Sequence, residues 1–314
     1  MKVFDNINKL KVKQCEGDVT SGCLVLEGGA FRGIYTAGVL DYFMENNLNL
    51  DVCYGVSAGA LTATNYLAGA FGRSALLILE NRFNKRYVGL PALKESGSVV
   101  GFNFMFDDLN KIYPLNEDRI FCDNRTLYAT VTNLETGEAE YFTNHNGKDI
   151  FYKAIRAGAS IPLISKAVEI NDKYYLDGGI ATKIPIRKAL LDGNEKIIFI
   201  GTRESTYRRK TETTEYELAK TVYKNYPLFL EAFKNANENY NKDCDLIDSL
   251  VLQKKIYRIT PSKPVTISRL EKDIDKLSNL YYRGYFDAMT HFDEILEYLK
   301  SWLLNHNSKS KNLK

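Results

Sequence analysis

The sequence predicts an α/β protein: a mainly parallel sheet domain over the first two hundred residues, extended by a mainly helical C-terminal region. Two observations carry this. Up to about residue 205, short apolar runs alternate with helical patterns, the signature of strands joined by helical crossovers. Beyond about residue 211, long amphipathic patterns dominate, broken by one strand-like run at 255–259 and by Pro261 and Pro264. The expected organisation is a core over 15–205, a mainly helical region over 211–304 packed on it, and a frayed polar tail over 305–314.

Taken in order, the first apolar run (23–26) ends in a glycine-rich turn, and a helix is expected over 33–46. A second strand at 52–54 meets Gly55, and a helix of small residues follows over 58–67. Residues 89–118 mix Gly, Pro and Phe and read as an irregular excursion or lid. Phe102, Phe104 and Phe106 there serve either the core or an acyl-chain wall. A strand pair is expected at 126–132 and 140–143, a short helix at 149–157, a hairpin at 168–170 and 174–176, and a buried strand at 196–200. Ser268 followed by Glu271 has the capping-box spacing that opens a helix.

Bulk properties exclude several classes. The chain has 314 residues and a formal net charge of +3, too mild to argue for nucleic acid. Five scattered cysteines, Cys15, Cys23, Cys53, Cys122 and Cys244, have no metal-ligand spacing and do not pair evenly, so a reducing compartment fits. The N-terminal residues lack the apolar stretch of a secretion signal, and no run approaches the ~20 apolar residues of a membrane span. A cytoplasmic protein is expected, touching a membrane only peripherally. The basic cluster Arg208-Arg209-Lys210 reads as a solvated face before a headgroup site.

Three motifs carry chemistry. Gly55-Val56-Ser57-Ala58-Gly59 lies between a strand and a helix. In a nucleophile elbow this turn pushes the serine hydroxyl out at the top of a sheet, where helix N–H groups favour developing negative charge. The alternative is a serine that caps the helix. Gly28-Gly29-Ala30-Phe31-Arg32-Gly33, also between strand and helix, exposes backbone N–H groups in one concavity suited to an anion. As a dinucleotide fingerprint it fails, because Ala30 replaces the middle glycine and Asp51 begins rather than ends the second strand. As an oxyanion loop beside a serine, it supplies what acyl transfer requires. Asp177-Gly178-Gly179, after the apolar residues 174–176, is weak alone and gains weight from the other two.

The histidines His145, His291 and His306 decide between mechanisms. His306 lies in the polar tail and His145 in a turn composition. His291 would complete a Ser57-Asp177-His291 triad in the chain order of α/β-hydrolases. However, with an apolar helix face at Tyr285, Met289, Phe292, Leu296 and Leu299, it falls on the far side. With no convincing histidine, Asp177 is the best-placed group to take the serine proton.

Together the three motifs resemble the signature of patatin-like phospholipases, in order and spacing, over roughly residues 22–203. Ala159-Ser160-Ile161-Pro162 also resembles the family, and Gly201-Thr202-Arg203 a bacterial branch of it. The resemblance implies a three-layer α/β/α fold and hydrolysis of lipid acyl esters without metal or cofactor. It implies Ser57 as nucleophile, Asp177 as base, and an oxyanion hole at Gly28, Gly29, Ala30 and Phe31, helped by Ala58. Arg32 would hold the loop. Ala30 departs from the glycine many members carry. The expected partner is a lipid or acyl-ester substrate; the oligomeric state is not legible. The rival readings are the histidine triad, a non-catalytic lipid-binding regulatory protein, and nucleotide binding at the glycine loop.

Overall fold

The computed structural model describes residues 10–210 and 214–311, with side chains described through residue 300. His306 and the whole of the expected frayed tail thus fall outside the described side chains.

An eight-stranded sheet forms the centre. Its strands are β2 (Val19–Leu26), β3 (Asn49–Val56), β5 (Thr126–Asn133), β6 (Ala139–Thr143), β7 (Val168–Ile170), β8 (Lys173–Asp177), β9 (Ile197–Ile200) and β10 (Ile256–Ile259). The short strands β1 (Lys13–Gln14) and β4 (Ala70–Phe71) pair separately. The sheet runs β10-β9-β2-β3-β5-β8-β7, parallel from β10 to β5, with β6 against β5. The central strands are apolar on both faces, as a parallel sheet covered on both sides requires.

Alternation along these strands builds three layers. Leu24, Leu26, Leu50, Cys53, Ile198 and Ile200 face one core, shared with α1 (Ile34–Glu45), α2 (Ala58–Leu67), α3 (Arg73–Asn81), α7 (Lys148–Gly158) and the long α11 (Ile274–Lys311). Cys23, Val25, Tyr54, Ile197 and Phe199 face the other, shared with α8 (Ile186–Leu191) and α10 (Pro227–Leu252). A further helix, α9 (Thr214–Val222), packs with α10 near β8. The C-terminal region therefore adds the edge strand β10 and places a helix on each face.

Three expectations are corrected. Residues 89–118 are not irregular: they carry the short helices α4 (Leu90–Ser96), α5 (Leu109–Ile112) and α6 (Glu117–Ile120), and Phe102 is fully buried. The helix expected at Ser268 opens at Ile274, where Asp273 Oδ1 accepts the N–H groups of Asp275 (2.9 Å) and Lys276 (3.2 Å). On α11 the buried stripe is Leu277, Leu280, Tyr281, Ala288, Ile295 and Leu299, with Tyr285, Phe292 and Leu296 packed beside it as expected, whereas Met289 is exposed. The stripe passes through Gly284, where a Cβ would lie 2.1 Å from the Tyr35 carbonyl oxygen on α1. Helices meeting this closely are matched by missing side chains, which an apolar pattern does not register.

The basic cluster is also anchored. Arg208 pairs with Asp245 (2.8 Å) and Asp248 (2.7 Å), and Arg209 lies over the Tyr240 ring. Asp51, weighed as a ribose acid, instead accepts the Gly22 N–H at 2.8 Å and fixes the irregularity in β2.

Candidate active site

Strand pairing explains how the site forms. Along β5, Thr130 is the partner of Val56, the last residue of β3, and Val131 is the partner of Asp177, the last residue of β8. β6 occupies the other edge of β5 from Tyr128 to Thr132, so β3 and β8 share one edge and meet end to end. The residues at and just beyond the two strand ends are therefore brought together.

Ser57 follows β3 with φ 53° and ψ −122°, an unfavourable backbone for a non-glycine residue and the conformation of a strand-to-helix elbow. Its hydroxyl does not cap α2; Oγ donates to Asp177 Oδ2 at 2.7 Å. Gly55 and Gly59 allow the turn. A Cβ at Gly55 would lie 2.5 Å from the Ala60 Cα, and one at Gly59 2.6 Å from the Leu26 carbonyl oxygen.

Asp177 is held from every side. Its other oxygen, Oδ1, accepts the Gly179 N–H at 2.8 Å, its backbone N–H donates to the Ser160 carbonyl, and its carbonyl accepts the Thr132 hydroxyl. Gly178 is required because a Cβ there would sit 2.4 Å from the Thr130 carbonyl oxygen. Burial raises the Asp177 pKa, opposed by the Gly179 N–H, the Ser57 hydroxyl, Lys183 and Arg269.

The glycine loop lies directly on the elbow. A Cβ at Gly28 would be 3.1 Å from the Ser57 Cβ, and one at Gly33 3.0 Å from the Ala58 Cβ. Ala30 has φ 50°, so its methyl sits on a left-handed residue. Arg32 is buried, and burial first, then Arg203 and Arg209, lowers its pKa to about 10. One expected donor is engaged elsewhere: the Phe31 N–H donates to the Arg269 carbonyl at 3.0 Å. The Phe31 N–H is therefore already engaged and does not serve the oxyanion role expected of it.

A cavity of about 90 Å³ opens at Ser57, lined mainly by apolar side chains that include Leu61, Leu77, Val100, Met105, Ile161 and Leu270. Residues 100 and 105 come from the excursion, and Ile161 from the Ala159-Ser160-Ile161-Pro162 stretch. Leu270 comes from the C-terminal region, which the motifs did not reach and where no local pattern marked it. Among the described residues, no histidine lines it. His291 Nδ1 meets the Tyr257 hydroxyl at 2.7 Å, beside Glu294, and His145 meets Thr126 at 3.0 Å.

The model of the patatin-like phospholipase family matches residues 24–190, more than half of the chain. The chain belongs to the patatin-like phospholipase family. This patatin-like match contains the glycine loop, the elbow and Asp177. A second model, a domain of unknown function (DUF6363), matches residues 226–300 and so includes Leu270. Among curated relatives, the uncharacterized protein YjjU of Escherichia coli is 30% identical over 57% of this chain and 51% of its own length. The probable lipid hydrolase 463L of Invertebrate iridescent virus 6 is 24% identical over 59% of this chain and 71% of its own. Bovine patatin-like phospholipase domain-containing protein 2 is 29% identical over 51% of this chain and 33% of its own. The chain thus spans about half the length of YjjU and a third of the bovine protein.

Proposed function

We propose that this chain is a serine acyl hydrolase that cleaves lipid acyl esters, with Ser57 as nucleophile and Asp177 as its base. The observation that carries the reading is the 2.7 Å hydrogen bond from Ser57 Oγ to the buried Asp177 carboxylate, at the mouth of an apolar cavity. Family membership and the lipid-hydrolase and phospholipase names of two relatives support the substrate class.

In the first step Ser57 Oγ bonds to the ester carbonyl carbon as its proton passes to Asp177 Oδ2. The carbonyl oxygen becomes an oxyanion held by backbone N–H groups of Gly28, Gly29, Ala30 and Ala58. The carbon–alkoxide bond then breaks and the leaving alcohol takes the proton from Asp177. Water attacks the acyl-enzyme, its proton goes to Asp177 and then to Ser57 Oγ, and the acid is released. The raised pKa of Asp177 makes it a stronger base than an exposed carboxylate.

The rim of the cavity suits an anionic lipid surface met peripherally. Leu270, which lines the cavity, is exposed. The segment 81–94, which lends Tyr87 and Val88 to the cavity, carries Arg82, Lys85, Arg86 and Lys94, of which Arg86 is paired with Glu95 (3.1 Å) and Asp108 (2.8 Å). Among the described residues no helix is long and apolar enough to cross a membrane.

Hydrolysis of a panel of short-chain esters and phospholipids by wild type and Ser57→Ala tests the function. Turnover in wild type and none in Ser57→Ala is expected. Lipid binding without turnover in wild type would favour a non-catalytic lipid-binding role instead.

A further inference from the structure

The segment Gly201-Thr202-Arg203 follows β9 and takes no part in the chemistry described so far, yet it reaches the glycine loop. Thr202 is fully buried. Its Oγ1 donates to the Gly28 carbonyl at 3.1 Å, and its own N–H donates to Glu27 Oε2 at 2.6 Å. Glu27 is itself buried and is tied back to β9, its N–H donating to the Ile200 carbonyl at 3.1 Å. The fit is close enough to dictate sequence: a Cβ at Gly29 would lie 2.7 Å from Thr202 Oγ1.

A trans peptide points its C=O and N–H in opposite directions. A hydroxyl that grips the Gly28 carbonyl from one side therefore turns the Gly29 N–H to the other. Gly28 packs against Ser57, with the distance from a Gly28 Cβ to the Ser57 Cβ only 3.1 Å. We propose that Thr202 is a positioning residue: its hydroxyl, anchored through Glu27, orients the Gly28–Gly29 peptide so that the Gly29 N–H is ready for the oxyanion formed at Ser57. This rests on the serine-hydrolase reading above. Electrostatic stabilisation of this kind depends on donors that need not reorganise when charge develops, so an unclamped peptide costs rate and not binding.

The test uses Thr202→Val, which removes the hydroxyl at similar volume, and Thr202→Ser, which keeps it. The readouts are kcat and KM on a short-chain ester, the rate of inactivation by a fluorophosphonate, and the thermal unfolding midpoint. For Thr202→Val, kcat and the inactivation rate should fall ~10-fold or more while KM stays within about twofold of wild type. Thr202→Ser should restore both rates. Wild-type rates in folded Thr202→Val, or equal rate losses in both variants that track their unfolding midpoints, would overturn the proposal while leaving the Ser57 reading intact. Failure of wild type to react with the fluorophosphonate would overturn both.

Discussion

Ser57 Oγ and Asp177 Oδ2 lie 2.7 Å apart although 120 residues separate them in sequence. The contact is a product of topology: β3 and β8 end opposite successive residues of β5, Thr130 and Val131, from opposite directions. The two strand ends thereby bring a residue just past one and the last residue of the other within hydrogen-bonding reach.

Asp177→Asn keeps the shape of the side chain and removes its capacity to accept a proton. We expect kcat to fall ~10²–10⁴-fold with the unfolding midpoint little changed. On the proposed mechanism, wild-type activity needs the ionised carboxylate. Burial raises its pKa, so the acid limb of the kcat/KM profile should lie above the usual carboxylate range. Steady-state kinetics across pH checks both; a fully active Asp177→Asn contradicts the assignment.

His291→Ala separates a two-residue mechanism from a triad. The Tyr257 hydroxyl donates to Glu294 at 2.5 Å, so His291 Nδ1 is the donor to Tyr257, in a surface network between β10 and α11. Activity on a short-chain ester should stay close to wild type. A dead but folded variant would restore the histidine triad.

Gly38 on α1 and Gly284 on α11 let the two helices touch backbone to backbone. A Cβ at Gly38 would lie 2.1 Å from the Tyr281 carbonyl oxygen. Gly284→Val should force the helices apart and destabilise by about 1–3 kcal/mol or more, read by chemical denaturation. An unchanged midpoint would mean that α11 does not dock there.

Asp41 offers a pH test of the same interface. It is buried and accepts the Gly72 N–H at 3.0 Å and the Tyr281 hydroxyl at 2.8 Å, and burial raises its pKa to about 7. A raised folded-state pKa means that the folded state holds a proton the unfolded chain has already lost. The contribution of Asp41 is therefore fully present below the unfolded value of ~3.9 and is lost as pH rises toward 7, at up to about 1.4 kcal/mol per pH unit. Asp41→Asn lacks this loss, so its stability relative to wild type should rise between pH 4 and 7. A constant difference across that range would contradict the assignment.

What was legible in sequence was local. The α2 helix falls where its small residues and the preceding glycine place it, at Ala58–Leu67, and the β7–β8 hairpin delivers Asp177 as its apolar run implies. The interactions that complete the site come from distant chain. Thr202 reaches Gly28 across 174 residues, Arg269 takes the Phe31 N–H, and Leu270 closes the cavity wall. No spacing rule encodes these, because each is set by which strand ends and loops the sheet brings together. The α11 interface is legible only in part: Tyr285, Phe292, Leu296 and Leu299 pack against the core as expected, but its centre is glycine and alanine, and Met289 lies outside it.

The most direct test of the two-residue site is intact-protein and peptide mass spectrometry after reaction with a fluorophosphonate. The account predicts one covalent adduct, located on Ser57, in wild type and in His291→Ala, much slower adduct formation in Asp177→Asn, and none in Ser57→Ala. An adduct persisting in Ser57→Ala, or undiminished reaction in Asp177→Asn, would contradict it.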